Sequence, residues 1–399
     1  MSKNVIVIGG SFAGMTAAIE IKQHLKNDVN VLVIDKRSEF IFNPSLIWVP
    51  FGLRNKKDIS FELEPVFAKK GVNFKQAEVI RIDLENKTVL SNDSTCETFD
   101  YLIIATGAKL NYDAIAGLNP KLGFAQSIFS FDDAIEAGYA FDKFIQNPGP
   151  VVIGAVQGAS CFGAAYEFLF NIVYQLKKHK INKVAPVTFV TAEPYVAHLG
   201  LGGFGMARQM CEYMFKQAHI KLECDAEFKE VTANQIELTD GRSIPFNYAM
   251  LTPSYLGVDP VRSLTDIVDN NGFVKINDYY QTLSYNNVFA CGVAISLPAP
   301  SITKVPCAVP KTGYLSEEMA KIVAHNVIAS MENKPLKAKK PGEIDAKCIM
   351  DAGNNGIIMM SDHFLEPRQH AWLIPGPEAH YAKLAFEKYF LITHKHGIV

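Results

Sequence analysis

Residues Asn4 to Ala18, NVIVIGGSFAGMTAA, allow few folds. An apolar run without alternation describes a strand buried on both faces. Gly9, Gly10 and Gly14 then crowd a turn, and small residues open a helix. Such a turn lets backbone approach a pyrophosphate closely and aims N–H groups and the positive helix end at it. Gly9 and Gly14 take the outer positions of G-x-G-x-x-G, while Ser11 takes the middle one. The next apolar strand, VNVLVIDKR, closes on Asp35 and Lys36. Asp35 follows Gly14 by 21 residues, where a carboxylate accepts hydrogen bonds from a ribose. Both halves together predict a βαβ dinucleotide-binding unit, and so an α/β fold.

Composition narrows the partners. The 399 residues carry 39 basic and 41 acidic side chains, a formal charge of -2, with no basic block to follow a phosphate backbone. Nucleic acid is not an expected partner. Seven cysteines form neither a CxxC pair nor a zinc spacing, and their odd number argues against a secreted disulfide framework, so no metal ligands are assigned. The chain enters a strand at Val5, and we recognise neither an export signal nor an apolar run of spanning length.

Two more apolar strands end in small residues: FDYLIIATGA, with Thr106 and Gly107, and NNVFACGVA, with Gly292 and Val293. They resemble the ATG and FAxGD segments of flavoproteins with two dinucleotide domains, which implies FAD. Many relatives have an acidic residue where this chain has Val293. A second strand and turn, GPVVIGAVQGASCFGAAYEF from Gly149, keeps Gly154 and Gly158 but has Val156 where a glycine would admit pyrophosphate. Cys161 follows at the helix start. The positive helix end is expected to lower its pKa and make it a nucleophile; the alternative is a small packing residue.

The segments FNPSLIWVPFG, IGAVQGASCFGAAYE, AEPYVAHLGLGG, FACGVAI, VPKTGY and KCIMDAG, spread in order along the chain, resemble those of sulfide:quinone oxidoreductases. The resemblance implies two Rossmann-like dinucleotide-binding domains and a small C-terminal module on the membrane and quinone side. The corresponding boundaries are 1–112 with 257–322 for FAD, 113–256 for a second unit with a degraded nicotinamide site, and 323–399 for the module. It further implies that Cys161 and Cys348 form a redox pair at the flavin, oxidising hydrosulfide and passing electrons to a quinone. The family's usual third cysteine is Phe129 here, in SIFSFDDA, so FAD is expected without a covalent link. Pro44, Ser45, Lys311 and Thr312 match residues lying against the flavin ring. His198 and Glu167 are candidates for moving protons near the thiols, or for purely local bonding.

The segment EAHYAKLAFEKYFLITHK is a helix candidate rich in aromatic residues. It either packs on the core or lies on lipid as a quinone mouth, with Phe386, Lys388 and Phe390 as quinone contacts. Peripheral membrane attachment on an unassigned face, with a possible homo-oligomer, is the corresponding expectation. The competing readings are a type II NADH:quinone dehydrogenase, which needs an intact nicotinamide pocket, and a non-catalytic flavoprotein that stores sulfur or senses redox state.

Overall fold

The computed structural model describes residues 2–399, whose principal strands form two parallel sheets and one antiparallel sheet. The first sheet has the order Val288–Ala290, Tyr101–Ile104, Lys3–Ile8, Val29–Asp35, Asn73–Gln76, with every pairing parallel. Its central strand is buried from Val5 to Ile8, which explains the lack of alternation. The second has the order Lys221–Glu223, Val187–Thr191, Val151–Ala155, Tyr248–Thr252, also parallel. The chain crosses between these sheets twice, through Lys109–Asn111 and Ser254–Leu256, which pair antiparallel. All chemistry expected of the glycine turns therefore sits at the carboxyl ends of parallel strands.

One expected boundary needs correction. Helix Gly313–Met331 runs unbroken through residues 322 and 323, because Ala320, Val323, Ala324 and Val327 continue one buried face packed against helix Phe12–Leu25. The chain leaves this unit only at the Lys-Pro run beyond Met331. A three-stranded antiparallel sheet follows, Ala346–Asp351, Gly356–Ser361 and Ala371–Pro375, then helix Pro377–Lys395.

That last helix is turned opposite to its composition. Its buried face carries Ala379, Lys383, Glu387, Phe390 and His394, while Tyr381 and Tyr389 are 68% and 65% exposed and Phe386 and Ile392 also face outward. Phe390, named as a quinone contact, turns its ring toward the core. It is 3% exposed, enclosed by Phe12, Phe40 and Phe42, and stacked on His394 at 3.6 Å. Lys388 is exposed, and the lysine turned inward is Lys383. No described helix is long and apolar enough to cross a membrane.

Candidate active site

The first glycine turn is held by collisions that any side chain would cause. Gly9 has φ +102°, and a Cβ there would stand 2.3 Å from Ala105 O, so the ATG segment abuts the turn. A Cβ on Gly14 would stand 1.8 Å from Gly9 O. Gly292, at φ +69°, fits between Ala13 and Ser316. The four segments picked from sequence thus meet around one helix start. Helix Phe12–Leu25 has no side-chain cap from Ser11, leaving its first N–H groups to an anion. These features fit the pyrophosphate of FAD. Asp35 Oδ2 accepts from Gly10 N at 2.7 Å and Oδ1 from Arg37 N at 2.9 Å, so its carboxylate braces the turn from the ribose position. Lys36 points away, 3.6 Å from Glu78. Thr106 Oγ1 bonds Gly107 O at 3.3 Å.

Around the expected ring position the assignments divide. Ser45 is buried and donates to Glu387 Oε2 at 2.5 Å, and Pro44 opens the same stretch of 3-10 helix, Asn43–Phe51. Thr312 caps helix Gly313–Met331 through Leu315 N. Lys311 Nζ donates to Val293 O at 3.0 Å and Ile295 O at 2.6 Å, over the Phe273 ring. Burial lowers this lysine to about 7, so it is a weaker fixed cation than its sequence position suggests.

The second turn is occupied by the chain itself. Gly158 N donates to Pro306 O at 2.7 Å, Lys311 N to Ser160 O at 3.0 Å, and Ala308 N to Ala159 O at 3.3 Å. Gln157 bonds both backbone groups of Phe228, at 2.8 and 3.0 Å, and Val156 is fully buried. Segment 306–311 therefore lies across the turn that would receive a nicotinamide nucleotide.

Cys161 caps helix Phe162–Lys178, and Cys348 lies on the strand Ala346–Asp351. The two elements are bonded to each other: Asp351 N donates to Glu167 Oε1 at 2.6 Å, and Asn171 Nδ2 donates to Asp351 O at 2.9 Å. Each thiol lies in the field of Glu167 and Lys383, and Cys348 also feels Cys161. Both are free thiols here. The expected acidic shift of Cys161 does not occur. Burial raises its pKa; the Ala164 N–H at the helix end lowers it, Glu167 raises it again and Lys383 lowers it, and the balance is upward. Cys348 is raised by the surrounding protein and Glu167, a rise tempered by its exposure to solvent on one side. Cys211, Cys224, Cys291 and Cys307 are each pushed up to about 12 by burial, as packing thiols are.

Glu167 is neither exposed nor locally paired. It forms a buried ion pair with Lys383 of the last helix, beneath Trp48. Burial raises the Glu167 carboxyl, and Lys383 opposes that rise. Trp48 Nε1 donates to Asp351 Oδ2 at 2.9 Å, and His380 Nδ1 lies 2.5 Å from Oδ1. Arg54 pairs with Glu387 at 2.9 Å. The inward charges of the last helix are thus matched, and they join the cysteine helix to the segment expected along the flavin.

His198 is 4% exposed, with no hydrogen-bond partner at Nδ1, and burial lowers its pKa. Its loop rests on the start of the cysteine helix: a Cβ on Gly200 would lie 2.1 Å from Ala308 O and 3.4 Å from the Phe162 ring. Glu193, which sequence reasoning passed over, anchors that loop. It is fully buried and accepts from Tyr166 OH at 2.7 Å, Thr191 Oγ1 at 2.8 Å and Leu199 N at 2.6 Å. Tyr166 OH in turn accepts from Ala197 N at 2.7 Å. These bonds hold Ala197 and Leu199 in left-handed backbone, at φ 61° and 58°. Phe129 stands edge-on to Tyr255, ring centres 6.1 Å apart, and Tyr255 feels the charge of Cys161.

Comparison with known proteins matches residues 3–311 to the family described as pyridine nucleotide-disulphide oxidoreductase. A sulfide-quinone reductase of Aquifex aeolicus is 35% identical, over 100% of this chain and 92% of that protein. The X-ray structure of the sulfide:quinone oxidoreductase from the same bacterium superposes with a TM-score of 0.94, over 99% of this chain and 92% of that one. A mitochondrial sulfide:quinone oxidoreductase of Dictyostelium discoideum is 25% identical over 85% of this chain and 73% of its own length.

Proposed function

Since this chain belongs to the pyridine nucleotide-disulphide oxidoreductases, and among them to the sulfide:quinone oxidoreductases, we propose that it oxidises hydrosulfide to sulfane sulfur at Cys161 and Cys348 and delivers two electrons to a membrane quinone. The observation that carries this reading is the joining of the two cysteine-bearing elements by Glu167 and Asn171, with Lys383 paired to Glu167, in a fold whose first glycine turn fits FAD.

The working form of the pair is a sulfur bridge. Hydrosulfide brings its own negative charge, so attack on the bridge needs no thiolate from the protein. The thiol that leaves does need help, because burial disfavours its anion. Lys383, which lowers both thiols, is the group that steadies the departing one. Glu167 holds Lys383 in place, while its own charge opposes the thiolates, so Lys383 works against both burial and its partner. FAD would be held without a covalent link at Gly9, Gly10, Ser11, Gly14 and Asp35, and would supply the two-electron carrier between sulfur and quinone. Phe129, at the position of the family's third cysteine, offers no sulfur for tethering.

Quinone and lipid meet the protein at the C-terminal module. Tyr381, Phe386, Tyr389 and Ile392 on the last helix, with Trp372 and Ile374 on the last strand, expose apolar surface beside the exposed Lys388. That supports peripheral attachment, in which ring-bearing lipids enter without a spanning helix. A homo-oligomer would enlarge the attached surface. The NADH-using alternative is disfavoured because segment 306–311 lies over the second turn. Anaerobic mixing with sulfide or with NADH separates the two: sulfide bleaches the flavin absorbance and NADH leaves it intact, whereas the reverse pattern would overturn this reading.

A further inference from the structure

The thiol pair accounts for how a sulfur atom arrives and leaves open where it lodges. A cavity of about 40 Å³ lies between the cysteine helix, helix Ala207–Gln217 and the C-terminal sheet. Met210, Met214, Met350 and Met359 supply four thioethers to its wall, and none of the wall it opens is polar. Neither Cys161 nor Cys348 is on its wall, but the helix and the strand that carry them both are. Cys348 stands directly opposite Met359 in the antiparallel pair, and Met350 stands opposite Ile357. Opposed residues and residues two apart share a face. Cys348 therefore shares its face with three residues of the wall. From the other side, the Met350 sulfur lies 3.9 Å from where a Cβ on Gly163 would stand, two residues past Cys161. Tyr166 and Phe170 carry that helix face to the cavity.

We propose that this thioether-lined cavity receives the neutral sulfane sulfur of the lengthening bridge on its Cys348 side. The inference rests on the sulfide-oxidising reading and names where its product is held. Each turnover consumes one hydrosulfide, one proton and one quinone, and yields one quinol and one sulfur atom inserted into the bridge. The inserted sulfur is zero-valent, polarisable and without donors, so it gains dispersion contacts from methionine and loses no hydrogen bonds. A charged polysulfide end finds no partner on this wall and stays outside. Size selects the occupant further. A cavity of about 40 Å³ holds roughly three water-sized atoms, which suits a short sulfur run and excludes an isoprenoid tail. Cys211, also on the wall, stays protonated because burial pushes it up to about 12, so it does not attack the stored sulfur.

The test uses flavin-loaded protein turned over anaerobically with sulfide and a soluble quinone, then desalted. Long-wavelength anomalous diffraction should show sulfur peaks in the cavity beyond the methionine and cysteine positions. Sulfur released as thiocyanate by cyanide should exceed one atom per flavin in the wild type, fall to one or fewer in Met214→Phe, and return in the volume-conserving Met214→Leu. Equal thiocyanate from Met214→Phe and wild type, or peaks confined to the space between Cys161 and Cys348, would overturn the inference alone. Failure of sulfide to bleach the wild-type flavin would overturn the functional reading and this inference with it.

Discussion

Replacing Glu193 by Gln should make the protein more resistant to heat at pH 8 than at pH 5, relative to the wild type. Burial raises the Glu193 carboxyl from 4.5 to about 7, against the lowering effect of Leu199 N, Tyr166 OH and Thr191 Oγ1. A folded-state pKa above the unfolded one means that the folded protein binds the proton more tightly. The associated stability is complete below pH 4.5, is lost as pH rises toward 7, and is absent above it. At about 1.4 kcal/mol per pKa unit, the full loss comes to about 3.5 kcal/mol, of which about 2.5 kcal/mol falls between pH 5 and pH 8. Gln cannot ionise, so the variant escapes it. Its amide can still accept from Leu199 N, while the two hydroxyls reverse to accept from its NH2 group. Any cost of that reversal is the same at both pH values, so the difference between them isolates the ionisation. A chain of this length has an unfolding entropy of ~0.8 kcal/mol/K, so about 2.5 kcal/mol corresponds to roughly 3 °C in Tm. Differential scanning calorimetry of both flavin-loaded proteins at pH 5 and pH 8 reads it directly. An identical Tm gap at the two pH values would refute the reasoning, since Glu193 would then not change charge between them in the folded state.

Lys383→Met should destabilise the protein by about 3–5 kcal/mol, because it strands the Glu167 carboxylate in the interior; the pH dependence of thiol alkylation should also move upward, and an unchanged alkylation profile would show that Lys383 does not steady the thiols. Gly14→Val should yield protein without flavin, since its Cβ would fall 1.8 Å from Gly9 O; flavin content after purification checks this. The double variant Tyr381→Ser, Tyr389→Ser should bind liposomes less and reoxidise more slowly with quinone, while bleaching by sulfide keeps its rate. Equal slowing of both half-reactions in stopped flow would mean that the exposed aromatic face only supports the fold.

The glycine turns were legible because their demands are local: Gly9 and Gly14 are fixed by atoms that the same turn and its neighbouring strand provide. The proposed pairing of Cys161 with Cys348 rests on resemblance to a family, not on spacing, since the elements that carry them are joined by long-range bonds such as Asp351 N to Glu167. Helical periodicity located the last helix but could not tell which face turns inward. Aromatic residues ordinarily bury, yet here Lys383 and Glu387 do so, paired with Glu167 and Arg54, and His394 turns in with them, its Nε2 3.2 Å from Glu317. Those partners lie far away in sequence, 216 residues in the case of Glu167 and Lys383. The acidic shift expected for Cys161 failed for a related reason: the helix end is a local feature, whereas the burial and the Glu167 charge that outweigh it belong to the assembled fold.

If electrons enter through Cys161 and Cys348, an anaerobic titration of flavin absorbance with sulfide will show it. The wild type should bleach with about one equivalent of sulfide per flavin and recover on adding quinone. Cys161→Ser and Cys348→Ser should bind the same amount of flavin and stay yellow, because a hydroxyl cannot form the sulfur bridge that hydrosulfide attacks. Bleaching of either variant at the wild-type rate and stoichiometry would mean that electrons reach the flavin without the cysteine pair.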